Sequence, residues 1–375
     1  MRALLTLAAL ALLACAGDGD RMPMAGSLPA GAPGVASTAD ESPAGVSSAT
    51  GTEQTGTEQA STEQAGTERT STAQTGTATA PGAVPADGRA GQAAPSAGPA
   101  FDVGRAWEHL RRQVAFGPRP AGSPALDATR QYLLQQLRAA GIAVREQAFD
   151  AETPVGRLRM VNLIATLPGR RTDRIAIASH YDTKRFSQFR FVGASDGASS
   201  TAVLLELGRV LAGRTHEHTI ELLFLDGEEA TLPEWQGTDN TYGSRHYVDA
   251  ARVDGSLAGL KALVLLDMIG DRDLNIRRES YSTPWLTDII WSSAERLGHG
   301  AHFLPQQLAL EDDHVPFLRA GVPAVDIIDF DYPAWHTARD DLDQVSARSL
   351  GIVADVVLDA LPRIDQQLTQ PTRNR

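Results

Sequence analysis

Five places in the 375-residue chain carry side chains that could hold a metal ion or move a proton. They are Ser179-His180-Tyr181-Asp182, Ala194-Ser195-Asp196-Gly197, Asp226-Gly227-Glu228-Glu229, Leu266-Asp267 and Trp335-His336. Imidazole nitrogens and carboxylate oxygens are donors suited to zinc, at either one centre or two. Any one of these residues alone reads as an ordinary hydrogen-bonding group at the end of a strand. Taken together they form a site only if the fold gathers positions that the sequence scatters from 180 to 336.

The flanking segments say how that happens. Apolar strand candidates run Ile142–Phe149, Arg159–Thr166, Arg174–Ser179, Thr219–Leu225, Ala262–Leu266 and Val322–Ile328. Several are unbroken Val/Ile/Leu runs, the pattern of strands covered by helices on both faces. Ser123-Pro124 opens a helix that stops at Gly141, with an N-cap Ser, a first-turn Pro and a Gly just past the end. Further helices are expected at about Ser199–Ala212, Ser244–Ala251, Trp285–Leu297 and Ser346–Gln367. Continuous alternation over about 270 residues predicts a single α/β domain, 101–375. In such open sheets the carboxyl ends of the strands converge on the ligand crevice, where the five places would meet.

The preceding residues have another composition. Residues 1–100 contain no Phe, Trp, Tyr or Ile, so they cannot build a core. Arg2, the apolar run Ala3–Ala14 and small residues beyond read as an export signal, residues 1–15. Leu12-Leu13-Ala14-Cys15 resembles the lipobox of bacterial lipoproteins, in which the Cys is acylated and anchors the chain to a membrane. Cys15 is the only cysteine, so no intramolecular disulfide can form. Residues 16–100 then read as a disordered tether, with the five-residue repeat TEQTG, TEQAS, TEQAG, TERTS, TAQTG matching neither helix nor strand period. The expected location is outside the cytoplasm, facing the periplasm or cell exterior. The net charge of −12, acidic on both sides of residue 100, argues against a nucleic-acid partner.

The order His180, Asp196, Glu228-Glu229, Asp267, His336 resembles the zinc-dependent exopeptidase superfamily, which contains co-catalytic aminopeptidases and animal-type glutaminyl-peptide cyclotransferases. HYDTKRF, FVGASDGAS, LLFLDGEEA, DNTYGSRH, LVLLDMIG, EDDHVPFLRAGVP and WHTARDD resemble the cyclotransferases more closely. The resemblance implies a central mixed, mostly parallel β-sheet flanked by helices. It implies one zinc held by Asp196, Glu229 and His336, with Glu228 as general acid/base and Asp267 and Asp312 in a carboxyl network with it. Trp235 and Trp335 would wall the pocket, and His314 would stand at its rim or cap a helix. The implied reaction converts the N-terminal glutamine of a peptide to pyroglutamate with release of ammonia. Glu311 departs from the neutral amide of the animal enzymes. The alternatives are an aminopeptidase whose second zinc is held by His180 and Asp267 with bridging Asp196, and a zinc-free binding protein on the same fold.

Overall fold

The structure is a computed structural model that describes residues 98–370. Cys15, the signal and nearly all of the tether lie outside those residues. Helix α1 (Val103–Phe116) precedes α2 (Pro124–Ala139), whose Ser123 side chain accepts from Leu126 N as the sequence signature predicts. There follow β1 (Ala143–Thr153), β2 (Gly156–Leu167), β3 (Arg171–His180), α3 (Ala198–Ala212), β4 (His218–Leu225), α4 (Tyr242–Val253) and β5 (Leu260–Asp267). The chain continues through β6 (Ile276–Glu279), α5 (Pro284–Arg296), β7 (Phe303–Leu308), α6 (His314–Arg319), β8 (Ala324–Ile328) and α7 (Ala347–Thr369). Among the described residues no helix is long and apolar enough to cross a membrane.

Six strands form one sheet in the order β1-β2-β4-β3-β5-β8. The β1–β2 and β2–β4 pairs are antiparallel, whereas β4, β3, β5 and β8 run parallel. This is the expected mixed sheet. Side chains of β3 alternate between two apolar layers: Ile175 and Ile177 pack with α1, α2, α3, α5 and α7, while Ala176 and Ala178 face α4 and α6. Full burial of each such aliphatic side chain is worth roughly 1.5–3 kcal/mol, so cover on both faces fixes the sheet.

From β3 the chain passes through α3 to β4 on one side, then through α4 to β5 on the other. The winding reverses at β3, and a crevice opens at its carboxyl end. Register brings the relevant ends level, with His180 opposite Leu225 and Asp267 opposite Ile328.

Three elements were not expected from sequence. Helix α1 buries His109 and Gln113 beside Ala106 and Leu110, so its inward stripe looks polar. The parallel pair β6–β7 is short, and β7 carries Pro305 among half-exposed residues without clean alternation.

Candidate functional site

His180 ends β3, Asp267 ends β5, Glu228 and Glu229 lie just past β4, Asp196 sits just before α3, and His336 follows β8. The fold brings all six together. The Asp196 carboxylate is the hinge of the arrangement: Oδ1 lies 3.3 Å from His180 Nε2 and Oδ2 lies 3.3 Å from His336 Nε2. His336 Nε2 is also 3.2 Å from Glu229 Oε1, and His180 Nε2 is 3.0 Å from Asp267 Oδ1. Two donor groups result, Asp196–Glu229–His336 and His180–Asp196–Asp267.

Both groups fit a metal. Donors about 2.0 Å from a common tetrahedral centre sit roughly 3.3 Å from one another; the His–carboxylate pairs here lie 3.0 to 3.3 Å apart, and all donor atoms of each group fall within 4.8 Å. Glu229 Oε2 is buried without a hydrogen-bond partner, with Lys184 Nζ 3.8 Å away. A zinc ion would satisfy such an orphaned oxygen.

The backbone is strained to present these side chains. His336 has φ 52° and Met268, just after Asp267, has φ 48°, a left-handed conformation uncommon outside glycine. Gly197, at φ 83°, leaves no room for a side chain, because a Cβ would stand 2.7 Å from Asp182 O and 3.0 Å from His180 Cε1.

Three residues to which the sequence assigned no role hold the frame. Asp182 accepts from Glu228 N (3.2 Å) and Glu229 N (3.3 Å), and its Oδ1 lies 3.5 Å from His180 Nδ1. Asp340 accepts from Ser195 N, Asp196 N and the Tyr332 hydroxyl. Arg119 is fully buried and donates to the carbonyls of Gln113, Gly117, Val192 and Gly193, tying the chain before α2 to the loop that carries Asp196. Asp182 and Asp340 fall inside the motifs HYDTKRF and WHTARDD, so the spacing was visible. Arg119 has no local signal.

The electrostatics separate the neighbouring glutamates from the aspartate between the histidines. Burial opposes charge on Asp196, but the hydrogen bonds and charges of His180 and His336 prevail and hold it below the usual carboxylate range. Burial also opposes a proton on His336, yet Glu229 and Asp196 outweigh it and lift the imidazole to about 10. A metal would take the place of that proton. Glu228 lies outside both donor groups. Burial, aided by the charges of Glu229, Asp312 and Asp313 and opposed by His180, pushes it well above the usual range. Asp312 is pushed up to about 7 by burial and by Asp267. Glu228 thus feels the charge of Asp312, and Asp312 that of Asp267.

Trp335 is 40% exposed and stacks on His336 at 4.2 Å, while Phe186 and Phe191 present edges to the same imidazole. Trp235 stands 36% exposed in the loop after Glu229, and among the described residues it forms no ring pair with the site. The rim position expected for His314 is corrected. Its side chain is fully buried at the start of α6, with Nε2 3.1 Å from Glu279 and Nδ1 3.7 Å from Asp326, because two buried carboxylates draw the ring inward. Asp313, not His314, occupies the α6 cap position. Glu311 turns outward to pair with Arg319 at 2.8 Å.

Residues 162–361 match the family Peptidase family M28. A glutaminyl-peptide cyclotransferase of Drosophila melanogaster is 31% identical over 277 residues, covering 65% of this chain and 78% of that protein. The crystal structure of an Acidobacteriales bacterium glutaminyl cyclase superposes with a TM-score of 0.68 at 39% identity, covering 75% of this chain and 100% of that one. A leucine aminopeptidase precursor from Bacteroides thetaiotaomicron gives a TM-score of 0.66 at 29% identity, covering 72% and 99%.

Proposed function

The chain belongs to peptidase family M28 and, within it, to the glutaminyl-peptide cyclotransferases, and on that premise we propose how its residues divide the work. It is a glutaminyl-peptide cyclotransferase: it closes the N-terminal glutamine of a peptide into pyroglutamate and releases ammonia. In this reading Asp196, Glu229 and His336 hold one zinc per chain. When bound, that ion supplies Lewis-acid polarisation of the glutamine γ-carbonyl.

As the substrate's free α-amine forms the new C–N bond to the γ-carbon, Glu228 takes one proton from that nitrogen. It returns the proton to the departing amide nitrogen as the old C–N bond breaks. The elevated pKa of Glu228 matches a group that must accept and then donate. No water enters, because the nucleophile is already part of the substrate at five-membered-ring distance. Asp312 raises the proton affinity of Glu228 through space, and Asp267 in turn raises that of Asp312. His180, with carboxylates near both ring nitrogens, is held charged: burial disfavours the imidazolium, but Asp267, Asp182 and Asp196 outweigh it. Trp335 and Trp235 shield the pocket from water. Arg2, the apolar run to Ala14 and the Leu12-Leu13-Ala14-Cys15 sequence support export with lipidation at Cys15, so that the domain works tethered to a membrane.

The observation that carries the assignment is the adjacency of Glu229, inside a donor group, and Glu228, outside it. The deciding experiment incubates the zinc-loaded protein with a Gln-initiated peptide and follows mass. Loss of ammonia is the expected result. The second donor group, His180–Asp196–Asp267, favours the other reading, a two-zinc aminopeptidase. Loss of the first residue, with two tightly held zinc ions per chain, would overturn the proposal in its favour.

A further inference from the structure

The loop from β3 to α3 carries charge that neither zinc binding nor proton transfer uses. Residues 183–195 contain Lys184, Arg185 and Arg190 but no Asp or Glu, in a chain with 46 acids against 34 bases. Residues 117–122 add the buried Arg119 and again no acid, and Thr183 bonds to both the amide and the carbonyl of Arg119, so the two segments lie together. Arg185 and Arg190 are exposed. Among the described residues neither guanidinium pairs with a carboxylate, while the Lys184 ammonium approaches Glu229 at 3.8 Å.

The two arginines are placed by the fold. Arg185 Nη2 donates to Ala121 O at 2.9 Å, and Arg190 Nη2 lies beside Gly117, 3.4 Å from where a Cβ would stand on it. A neutral carbonyl fixes a guanidinium without cancelling its charge. Their chain neighbours Phe186 and Phe191 set ring edges against the imidazole of His336, with centres 5.6 and 5.8 Å away. Arg185 also lines a cleft of about 180 Å³ together with Thr183, Thr231 and Glu229. A positive surface therefore borders the donor group. The proton-transfer side has the opposite sign, because Glu228, Asp312 and Asp313 are buried there and act on one another. A peptide entering amino end first meets acids with its amine and bases with the residues behind it.

We infer that Arg185 and Arg190 select peptides that carry an acidic residue in the first two positions after the N-terminal glutamine. The inference rests on the cyclotransferase reading. With the glutamine carboxamide at the donor group of His336, each further residue advances the chain roughly 3.3 Å. The arginines stand one ring and one residue from that imidazole, within reach of a side chain at either position. Guanidinium and carboxylate pair through two parallel hydrogen bonds, which an amide or an ammonium on the peptide cannot reproduce. One exposed pair is worth up to about fivefold in binding, and salt weakens it.

The test compares kcat/KM for ammonia release from C-terminally amidated Gln-Glu-Glu-Ala, Gln-Ala-Ala-Ala and Gln-Lys-Lys-Ala, using the full-length zinc enzyme and its R185Q/R190Q and R185K/R190K variants. At about 0.01 M ionic strength, where the Debye length is about 30 Å, the Glu peptide should exceed the Lys peptide by roughly tenfold, with the Ala peptide between them. At about 1 M the gap should shrink to about twofold. R185Q/R190Q should cut the Glu-to-Lys ratio at least fivefold, and R185K/R190K should keep most of it. Equal kcat/KM across the peptides, preference for Lys, a ratio unchanged in R185Q/R190Q, or one lost as fully in R185K/R190K overturns the inference while leaving cyclisation standing. Absence of ammonia from every peptide overturns the reaction itself, and the selection with it.

Discussion

Replacing Asp182 by Asn tests whether the frame around the donors matters as much as the donors. Asp182 is fully buried, and its two oxygens accept the amides of Glu228 and Glu229 at 3.2 and 3.3 Å while facing His180 Nδ1 at 3.5 Å. Asn is nearly the same shape but turns one acceptor into an NH₂ donor. Either one amide or the His180 N–H must then face another donor. A buried donor without a partner costs about 1–3 kcal/mol. The Glu228–Glu229 turn can relieve this only by moving, and the movement carries the carboxylates proposed as zinc ligand and acid/base together. Loss of a group that orients metal ligands typically weakens metal affinity or activity about 10–100-fold. Zinc affinity is read by competition with a chelator, and kcat/KM by ammonia release from a Gln peptide. Both should fall in D182N. If both stay within twofold of wild type, whether or not the melting temperature drops, Asp182 is only a fold residue and the reasoning fails.

Glu229→Gln should lower bound zinc and activity together, whereas Glu228→Gln should keep zinc and lose about 10²–10⁴ in rate; equal metal loss in both would cancel the division of roles. Asp267→Asn should leave one zinc per chain by metal analysis, because it removes no ligand of the Asp196–Glu229–His336 group. Arg119→Lys cannot reach four carbonyls with one ammonium, so it should destabilise the domain by about 1–3 kcal/mol and weaken zinc binding; a melting curve matching wild type would refute this. Burial, with Arg105, lowers His109 to about 4. Its folded pKa lies below the unfolded value of about 6.5, so the contribution is complete above that pH and is lost as pH falls toward 4. It amounts to about 3 kcal/mol, and the stability difference between wild type and His109→Gln should shrink over that window in denaturant titrations. Cys15→Ser should move the protein from membrane to soluble fractions with turnover unchanged. A chain starting at Gly98, which keeps the Ala100 carbonyl bonded to Arg209, should fold and turn over peptide like the full chain.

The strands were legible because both faces of the sheet are covered: an unbroken apolar run such as Ile175–Ala178 has few other uses. The donor positions followed, since His180 and Asp267 are the last residues of their strands and Asp196 and Glu229 lie just beside such ends. What stayed hidden depends on groups that meet only in space. Arg119 sits 73 residues from the Val192 carbonyl it holds, and nothing near it in sequence marks a buried guanidinium. The family resemblance puts His314 at the rim or at a helix cap, but Glu279 and Asp326, on β6 and β8, hold it inside. Phe330 is the converse case. An isolated Phe after an apolar strand reads as more core, and only the inward turns of Asp329 and Tyr332 show that its ring points out. Patterns of hydrophobicity therefore locate the elements and the catalytic donors that end them. The side chains that orient those donors depend on which face a turn presents, and there the backbone bonds of single residues such as Asp182 and Asp340 decide the outcome.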